Sequence, residues 1–464
     1  MRRISILLLA VSVVAAQTSR CQSSDGCCVV GTSCPACSAT ASAAQRIRKN
    51  VISLSSQEVA SFAAALNIMK TTSAVDGRRK FGSSFRNYDY LVAKHCVAAA
   101  DTRGDQAHFS SAFMTFHSLL ILEFENSLLA IDPSIGATPY WDWTATGASA
   151  KVFTSTMFGS VPGTGTNSQV IDGLFPNWPI MALSQSIFDA KFKSNLSDAT
   201  YNGYTGSTSN GFLRGTKSTN TNQYNTRYGR VPSVPTKGSS SACASTSVFP
   251  WIKWYACIET GDSGGPSPSF HSNPHPSIGG SSGTSQGDFL DPVSSPNDPI
   301  FMLHHANLDR NKLHWMSANS DSVSYFYGYP INGQLTPANG TRTGLGLAQA
   351  VSSTWGFTDG DVGIQAHASA PSTLWTHADA LCHLSPTVSP YTYDTLSMGE
   401  VGRNLKEQEV DGGDSGSLKQ ENRKLPADVA PSTTLKPTSS LATVVNARRH
   451  GAGLGPAGSP APGP

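Results

Sequence analysis

Apolar residues recur with the spacing of a helix in four segments, and these are the strongest structural signal in the chain. The first begins at the capping-box pattern of Ser55 and Glu58, ahead of the amphipathic stretch "VASFAAALNIMK". The second is "SFRNYDYLVAKHCVAAA", where residues at i, i+3, i+4 and i+7 form one face that ends in His95. The pattern therefore predicts two helices and places His95 on the core-facing side.

The other two helical segments also carry histidines. One runs from about Ser111 through "AFMTFHSLLILEFENSLLA" and contains His117. We expect it to end before Asp132, because the proline that follows disfavours helical backbone at the preceding residue. The other is "DPIFMLHHANLDRNKLHW", residues 298–315, with two adjacent histidines.

The remaining chain has no comparable periodicity. Residues 145–245 are rich in Gly, Ser, Thr and Asn, with short aromatic islands, and we expect long surface loops there. Residues 399–464 have too little apolar surface to fold on their own and are predicted to be a disordered, low-complexity tail. The pattern thus predicts a mainly α-helical protein with long loops and few short strands.

The start of the chain has the three parts of a secretory signal. Two arginines precede an apolar run and then small residues, so we expect a signal peptide at 1–16. That run is too short to span a bilayer, and a secreted protein without a membrane anchor is predicted. Removal of Arg2 and Arg3 reduces the 33 basic residues to 31, equal to the 31 acidic ones. Nothing in this balance predicts nucleic-acid binding.

Cysteines and glycosylation sequons agree with export. Five of the nine cysteines lie in a cysteine-rich N-terminal segment, residues 17–45, so disulfide bonds are expected. A zinc site at Cys34 and Cys37 is less favoured, since no second pair stands at zinc-finger spacing. Asn195 and Asn339 begin sequons, which predict a glycoprotein.

Histidine is the residue type that points to chemistry. Seven of the twelve fall in two groups: His95, His108 and His117, then His271, His275, His304 and His305. A lone histidine on an apolar face is usually a core residue, whereas two groups on core-facing elements indicate metal. Imidazole suits zinc, copper, iron and nickel, and no carboxylate is interleaved at ligand spacing, which disfavours calcium and magnesium. Two uncharged ligand sets favour copper, which cycles between +1 and +2, and a catalytic zinc remains the alternative.

The sequence does not determine how the histidines of the second group are arranged. His271 and His275 are four residues apart, which on a helix would bring their Cβ atoms to about 5–6 Å. Pro274 and Pro276 favour instead a helix end or a tight turn, and a polar loop with incidental histidines is the alternative. Adjacent helix residues point about 100° apart, so only one residue of the 304–305 pair is expected to bind metal. Helical geometry alone does not choose between them.

Two motifs carry a family resemblance. His95, His108 and, after eight further residues, His117 are followed by "LILEFENSL" and by "TPYWDW" at 138–143. His271 and His275 are followed by two glycines and by "NDPIFMLHHANLDR" from Asn297. In this order the motifs resemble those of tyrosinases and catechol oxidases, the type 3 copper family that includes molluscan haemocyanin units. The resemblance extends from about Arg46 to Tyr393.

The resemblance implies a tyrosinase-like domain, residues 46–398, with a four-helix bundle that holds two copper ions in a dinuclear site. The implied ligands are His95, His108 and His117 for the first copper, and His271, His275 and His305 for the second. The "YTY" at 391–393 resembles the tyrosine motif that closes the family's catalytic domain. His304 is then a neighbour of a ligand, and Asp309, one turn beyond His305, is a candidate for orienting a ligand imidazole.

The chain also departs from the family pattern. Phe116 and Ser118 flank the third histidine, where the family usually has tryptophan and arginine. Neither Gln106 nor Ala99 can form the thioether of plant and molluscan members, so none is expected. Cys96 resembles a plant position that is bonded to an N-terminal cysteine, which implies one disulfide of Cys27 with Cys96 and another of Cys21 with Cys28.

The resemblance implies an oxidoreductase that takes catechols to o-quinones with dioxygen, with monophenols as a second candidate class of substrate. Members that hydroxylate monophenols often have asparagine directly after the first histidine of the second site. This chain has Ser272 there, with Asn273 next and Glu259 or Asp262 as the upstream carboxylate, so monophenol hydroxylation is in question. Phe289 is a candidate to overhang the second copper, and a plain core residue is the alternative.

Two other classes of function compete with the enzyme. One is an oxygen carrier like a haemocyanin unit, and the absence of internal repeats argues against it. The other is an extracellular matrix protein with a vestigial copper site, which the presence of all six implied ligands disfavours.

Overall fold

The architecture comes from a computed structural model that describes residues 45–99, 106–108, 112–181, 207–208, 212–214, 251–260, 270–282, 285–290, 295–318, 356–367, 369–386 and 388–396. The predicted signal peptide, almost all of the cysteine-rich segment, both sequons and the predicted tail lie outside these residues. The two implied disulfides involve Cys21, Cys27 and Cys28, which also lie outside them.

Helices dominate the described part of the chain, as predicted. They are α1 (Ser56–Thr71), α2 (Ala74–Phe81), α3 (Tyr88–Ala99), α4 (Phe113–Ile131), α5 (Ala148–Val152), α6 (Trp251–Thr260), α7 (Pro274–Gly279), α8 (Ile300–Ala318), α9 (Asp359–Val362) and α10 (His377–His383). Short 3-10 turns cover Val51–Ser53, Pro133–Ile135, Thr166–Ser168, Asp288–Leu290 and Ser295–Asn297. None of the helices in the described ranges is long and apolar enough to cross a bilayer.

The strands are few and short, and they form two-stranded pairs. They are β1 (Arg46–Arg48), β2 (Ile180–Met181), β3 (Ser207–Thr208), β4 (Ser281–Ser282), β5 (Ser285–Gln286) and β6 (Tyr391–Tyr393). The β2–β3 and β4–β5 pairs are antiparallel, whereas β1 runs parallel to β6 with Arg46 opposite Tyr391. The β1–β6 pair brings together segments that are more than 340 residues apart in sequence.

Local sequence signals account for the ends of two long helices. Ser55 accepts a hydrogen bond from the backbone N–H of Glu58, and the Glu58 carboxylate accepts from the N–H of Ser55, which completes the predicted capping box of α1. Helix α4 ends at Ile131, and Asp132 then has extended backbone, as expected ahead of Pro133. These predictions are confirmed because they depend on neighbouring residues alone.

The core lies around α4. Helix α8 packs along α4, and α1, α3 and α10 also contact it. Almost every residue of α3 and α8 is buried, so the single apolar face read from α3 understates how much of that helix is covered. The region predicted as loops, 145–245, forms only short elements where it is described. The long helices α3, α4 and α8 carry four of the seven histidines.

Candidate metal centre

The first histidine group forms a triangle of buried imidazoles. His95 lies on α3 and His117 on α4, while His108 lies in the short segment 106–108 before α4, as predicted. The backbone N–H of Gln106 donates to the carbonyl of Ala98 at 2.9 Å, which fixes that segment against the end of α3. The ring centroids are 5.0 Å apart for His95 and His108, 5.1 Å for His108 and His117, and 5.4 Å for His95 and His117. This arrangement suits one ion bound by three imidazoles.

The second group brings together four imidazoles rather than three. One ligand atom from each of His271, His275, His304 and His305 lies within 4.8 Å of those of the others. The His275 ring is 4.8 Å from that of His304 and 6.2 Å from that of His305. The His271 ring is about equally far from both, at 5.6 Å and 5.5 Å. Ring positions alone therefore do not favour His305 over His304.

The pair His271 and His275 does not share a helix. Helix α7 begins at Pro274, so His275 is in its first turn and His271 lies in the turn before it. The backbone N–H of His271 donates to the carbonyl of Ile258 at 2.8 Å, which anchors that turn to α6. Proline at the first helical position explains why the helix starts there, so the helix-end alternative is confirmed and the helical i, i+4 pair is wrong.

The two groups face each other within one buried space. The rings of His117 and His305 stack at 4.0 Å with an interplanar angle of 9°, and those of His108 and His271 stack at 6.1 Å. Two ions held by these groups would therefore be neighbours, as a dinuclear site requires.

Burial keeps five of these seven imidazoles uncharged. Loss of hydration lowers the pKa of His117, His271, His304 and His305 well below the usual value, and neighbouring imidazoles lower it further. Burial likewise lowers the pKa of His275 to about 4. Neutral imidazole is the form that binds metal, so the ligands are ready at neutral pH.

Several buried imidazole nitrogens have no hydrogen-bond partner among the described residues, as expected of nitrogens that bind metal. His117 Nδ1 donates to the carbonyl of Phe113 at 2.8 Å, and its Nε2 has no hydrogen-bond partner among the described residues. His275 Nδ1 donates to the carbonyl of Phe289 at 2.6 Å, and its Nε2 lies 3.1 Å from Nε2 of His271. Both ring nitrogens of His305 are also buried and unpartnered within the described ranges. Buried polar atoms are rarely left in this state, so the side chains fit bound metal.

The predicted orienting role of Asp309 is not what the structure describes. Its carboxylate contacts Ser118, Lys312, Arg48 and Tyr393, and no imidazole is among its hydrogen-bond partners in the described part of the chain. Backbone carbonyls orient two of the implied ligands, His117 and His275, instead. The sequence suggested a carboxylate because such partners are common beside metal-bound histidines.

Three further predicted site residues surround the second group. Phe289 is fully buried, and its ring stacks on that of His275 at 4.3 Å. The Ser272 hydroxyl donates to the backbone carbonyl of Glu259 at 2.6 Å. Asn273 precedes α7, and its carbonyl accepts from the Ser277 hydroxyl at 2.7 Å.

Two phenylalanines that the sequence did not single out contact both groups. The Phe113 ring is 4.7 Å from that of His117 and 4.5 Å from that of His271. The Phe301 ring is 4.9 Å from that of His95 and 4.2 Å from that of His305. Each lies four residues before a histidine of the same helix, and that spacing was the available signal.

The residues that depart from the family pattern have distinct surroundings. The Phe116 ring packs at 5.7 Å from that of Phe357. Ser118 lies between α4 and α8, where its hydroxyl meets Asp309 and Lys312. Gln106 and Cys96 are both buried.

Comparison with known proteins gives one matching family model. Residues 85–318 match the common central domain of tyrosinase, and this range is just over half of the 464 residues. It contains all seven histidines of the two groups.

The chain is similar in sequence or in structure to several known proteins over part of their length. The chain is 29% identical over 283 residues to a tyrosinase of Streptomyces antibioticus, and the aligned region covers 60% of this chain and 85% of that protein. It is 26% identical over 321 residues to a tyrosinase of Oryzias latipes, which covers 61% of this chain and 55% of that protein. Among solved structures, a polyphenol oxidase variant from Thermothelomyces thermophila aligns with a TM-score of 0.48 at 18% identity, over 75% of this chain and 88% of the other. A functional unit of octopus haemocyanin aligns with a TM-score of 0.41 at 19% identity, over 78% and 72% of the two chains.

Proposed function

The chain belongs to the tyrosinase family, and on that premise we propose that it is a copper oxidoreductase that takes o-diphenols to o-quinones with dioxygen. The observation that carries this proposal is the pair of facing imidazole groups, because two neighbouring ions with uncharged nitrogen ligands suit a redox metal.

Six imidazoles would hold the copper pair. We assign His95, His108 and His117 to the first ion and His271, His275 and His305 to the second, following the family motif for the last of these. When bound, the two copper ions would supply the redox capacity for a two-electron oxidation of the diphenol coupled to reduction of dioxygen.

The chain itself supplies geometry and a dry environment. The carbonyls of Phe113 and Phe289 hold the Nδ1 protons of His117 and His275, so the Nε2 lone pairs of both rings stay directed at metal. The rings of Phe113 and Phe301 cover the imidazoles and exclude water. Electron transfer in this scheme needs no nucleophile from the protein.

The diphenol approaches the second ion. His271 and His275 are 7% and 9% exposed, whereas His95 is fully buried and His117 is 3% exposed. The first two are the most exposed of the six proposed ligands, since His108 is 4% and His305 is 1% exposed, and we infer from this that the diphenol enters at the second group. Phe289 is fully buried beneath His275 and serves that ligand rather than forming an outer gate.

Diphenols are the proposed substrates in preference to monophenols. Hydroxylation of a phenol requires a base that takes the phenolic proton. The Ser272 hydroxyl donates its one proton to the backbone carbonyl of Glu259, so toward a water it can act only as an acceptor, and it lacks the amide donor that asparagine would add. Oxidation of a catechol places less demand on such a base, so the lack of an asparagine at position 272 is better tolerated.

Oxygen-uptake assays of the copper-loaded chain with L-DOPA and with tyrosine test this proposal. We expect rapid uptake with L-DOPA, slower uptake with tyrosine, and none from a zinc-loaded control. Two bound copper ions without turnover of either compound would favour the oxygen-carrier alternative. A chain that takes up no copper would favour the vestigial matrix protein.

Export is a separate part of the proposal and rests on the signal pattern of residues 1–16. Expression with and without these residues, followed by measurement of the protein in the medium, tests it.

A further inference from the structure

A buried triangle of polar atoms ties α4 to α8 next to the imidazoles. The Ser118 hydroxyl donates to Asp309 Oδ1 at 2.5 Å, and the Lys312 ammonium lies 2.7 Å from the same oxygen and 2.8 Å from Ser118 Oγ. All three side chains are 1–2% exposed. Ser118 belongs to α4, whereas Asp309 and Lys312 belong to α8, so the triangle spans the two helices.

The triangle lies beside one ligand from each copper group. Ser118 directly follows His117, and Asp309 is one turn beyond His305 on α8. The stacked rings of His117 and His305 are 4.0 Å apart, so a small shift between the helices would change both groups at once.

Lys312 and Arg48 act on different oxygens of Asp309. Arg48 lies 3.0 Å from Oδ2 and also pairs with Glu125 at 2.7 Å, whereas Lys312 contacts Oδ1, the oxygen that meets Ser118 on α4. Burial alone would raise the pKa of Asp309, but the charges of Lys312 and Arg48 hold it at about 2. The carboxylate therefore stays ionised, with both oxygens engaged.

We propose that Lys312 is a positioning residue whose ammonium, accommodated by the small side chain of Ser118, holds Asp309 against α4 and so sets the relative position of His117 and His305. Position 118 is one of those at which this chain departs from the family pattern, and the cation in this contact belongs to α8. The inference rests on the proposed copper chemistry.

Copper retention against a competing chelator tests this role, with the wild-type protein and three variants loaded with copper. In Lys312→Met, the chelator concentration that removes half of the copper should fall about tenfold, the lower end of the usual effect of groups that support metal ligands. Ser118→Ala keeps the ion pair of Lys312 with Asp309 and loses the hydroxyl contacts with both of these side chains, so a drop of about threefold is expected.

Lys70→Met is the matched control. Lys70 is also a buried lysine paired with one carboxylate, that of Asp89, and it lies on α1, which carries none of the seven histidines. Both lysine variants should lower the unfolding midpoint of the copper-free protein, because each leaves a buried carboxylate with less compensation. Copper retention in Lys70→Met should stay within about twofold of the wild-type value, since no ligand support is lost.

Each result has a definite meaning. Wild-type retention in Lys312→Met would contradict the positioning role, as would an equal loss in Lys70→Met, which would indicate general destabilisation. If Lys312→Met does not fold, unchanged retention in Ser118→Ala would overturn the proposal. Failure of the wild-type chain to take up copper would instead contradict the proposed function.

Discussion

The two imidazole groups differ in how completely their geometry selects the ligands. The first has three imidazoles within 5.4 Å of one another, whereas the second offers four, with His304 as close to its neighbours as His305. The first is held by two long helices and a short segment, while half of the second comes from a turn and the first turn of α7. The first group thus offers a single set of three candidate ligands, whereas the choice between His304 and His305 in the second needs an experiment.

The two groups nevertheless orient one histidine each in the same way. In each, the backbone carbonyl of a phenylalanine accepts the Nδ1 proton of a histidine, and the ring of the same phenylalanine packs on that imidazole: Phe113 with His117, and Phe289 with His275. The carbonyl selects the tautomer and the ring restricts rotation. Different local backbones therefore reach the same chemical result.

Removal of one proposed ligand from each group should have the largest effect. His108→Ala and His275→Ala should each leave one copper per chain and abolish diphenol oxidation, because the reaction needs both ions. Metal content by elemental analysis and oxygen uptake with L-DOPA check this. Loss of both ions from either variant would show that the groups do not bind independently.

Substitution of the adjacent histidines tests the choice that geometry leaves open. His305→Ala should lose the second copper, whereas His304→Ala should keep both ions with about tenfold weaker affinity, as expected for a residue that supports a ligand. Chelator titration of the two variants measures the difference. The opposite order would assign the ligand to His304, which the ring distances also permit.

Substitution of the two phenylalanines should have the smallest effect. Phe113→Leu and Phe289→Leu retain the carbonyl and most of the side-chain volume, so each should cost about 1–2 kcal/mol of unfolding free energy. Copper affinity should change little and by a similar factor in both, because the tautomer is preserved. Denaturant unfolding and chelator titration provide the measurements. A much larger copper loss in one variant would show that the phenylalanine does not play the same part in the two groups.

The sequence predicted features that depend on neighbouring residues. The capping box at Ser55, the end of α4 before Pro133 and the position of His108 ahead of α4 all follow from local chemistry. The metal-binding character of both groups followed from repeated histidines, since one imidazole on an apolar face would not have indicated a site. The family motif then supplied the four-helix bundle and the six implied ligands, and it agreed with the copper that the two uncharged ligand sets had already favoured.

Contacts between distant segments could not be predicted in the same way. Lys312 meets Ser118 across 194 residues, and no spacing along the chain indicates that approach. The role expected of Asp309 was wrong because its carboxylate is engaged by α4, β1 and β6 rather than by an imidazole. The stacking of the Phe289 ring on that of His275 depends on how the chain between β5 and α8 folds, and the sequence there has no helical or strand periodicity.

Copper content of the purified wild-type chain tests the central claim most directly. After loading under reducing conditions and removal of unbound metal, elemental analysis should give two copper ions per chain, one for each imidazole group. A value of one would contradict the dinuclear site, and a value near zero would contradict copper binding altogether.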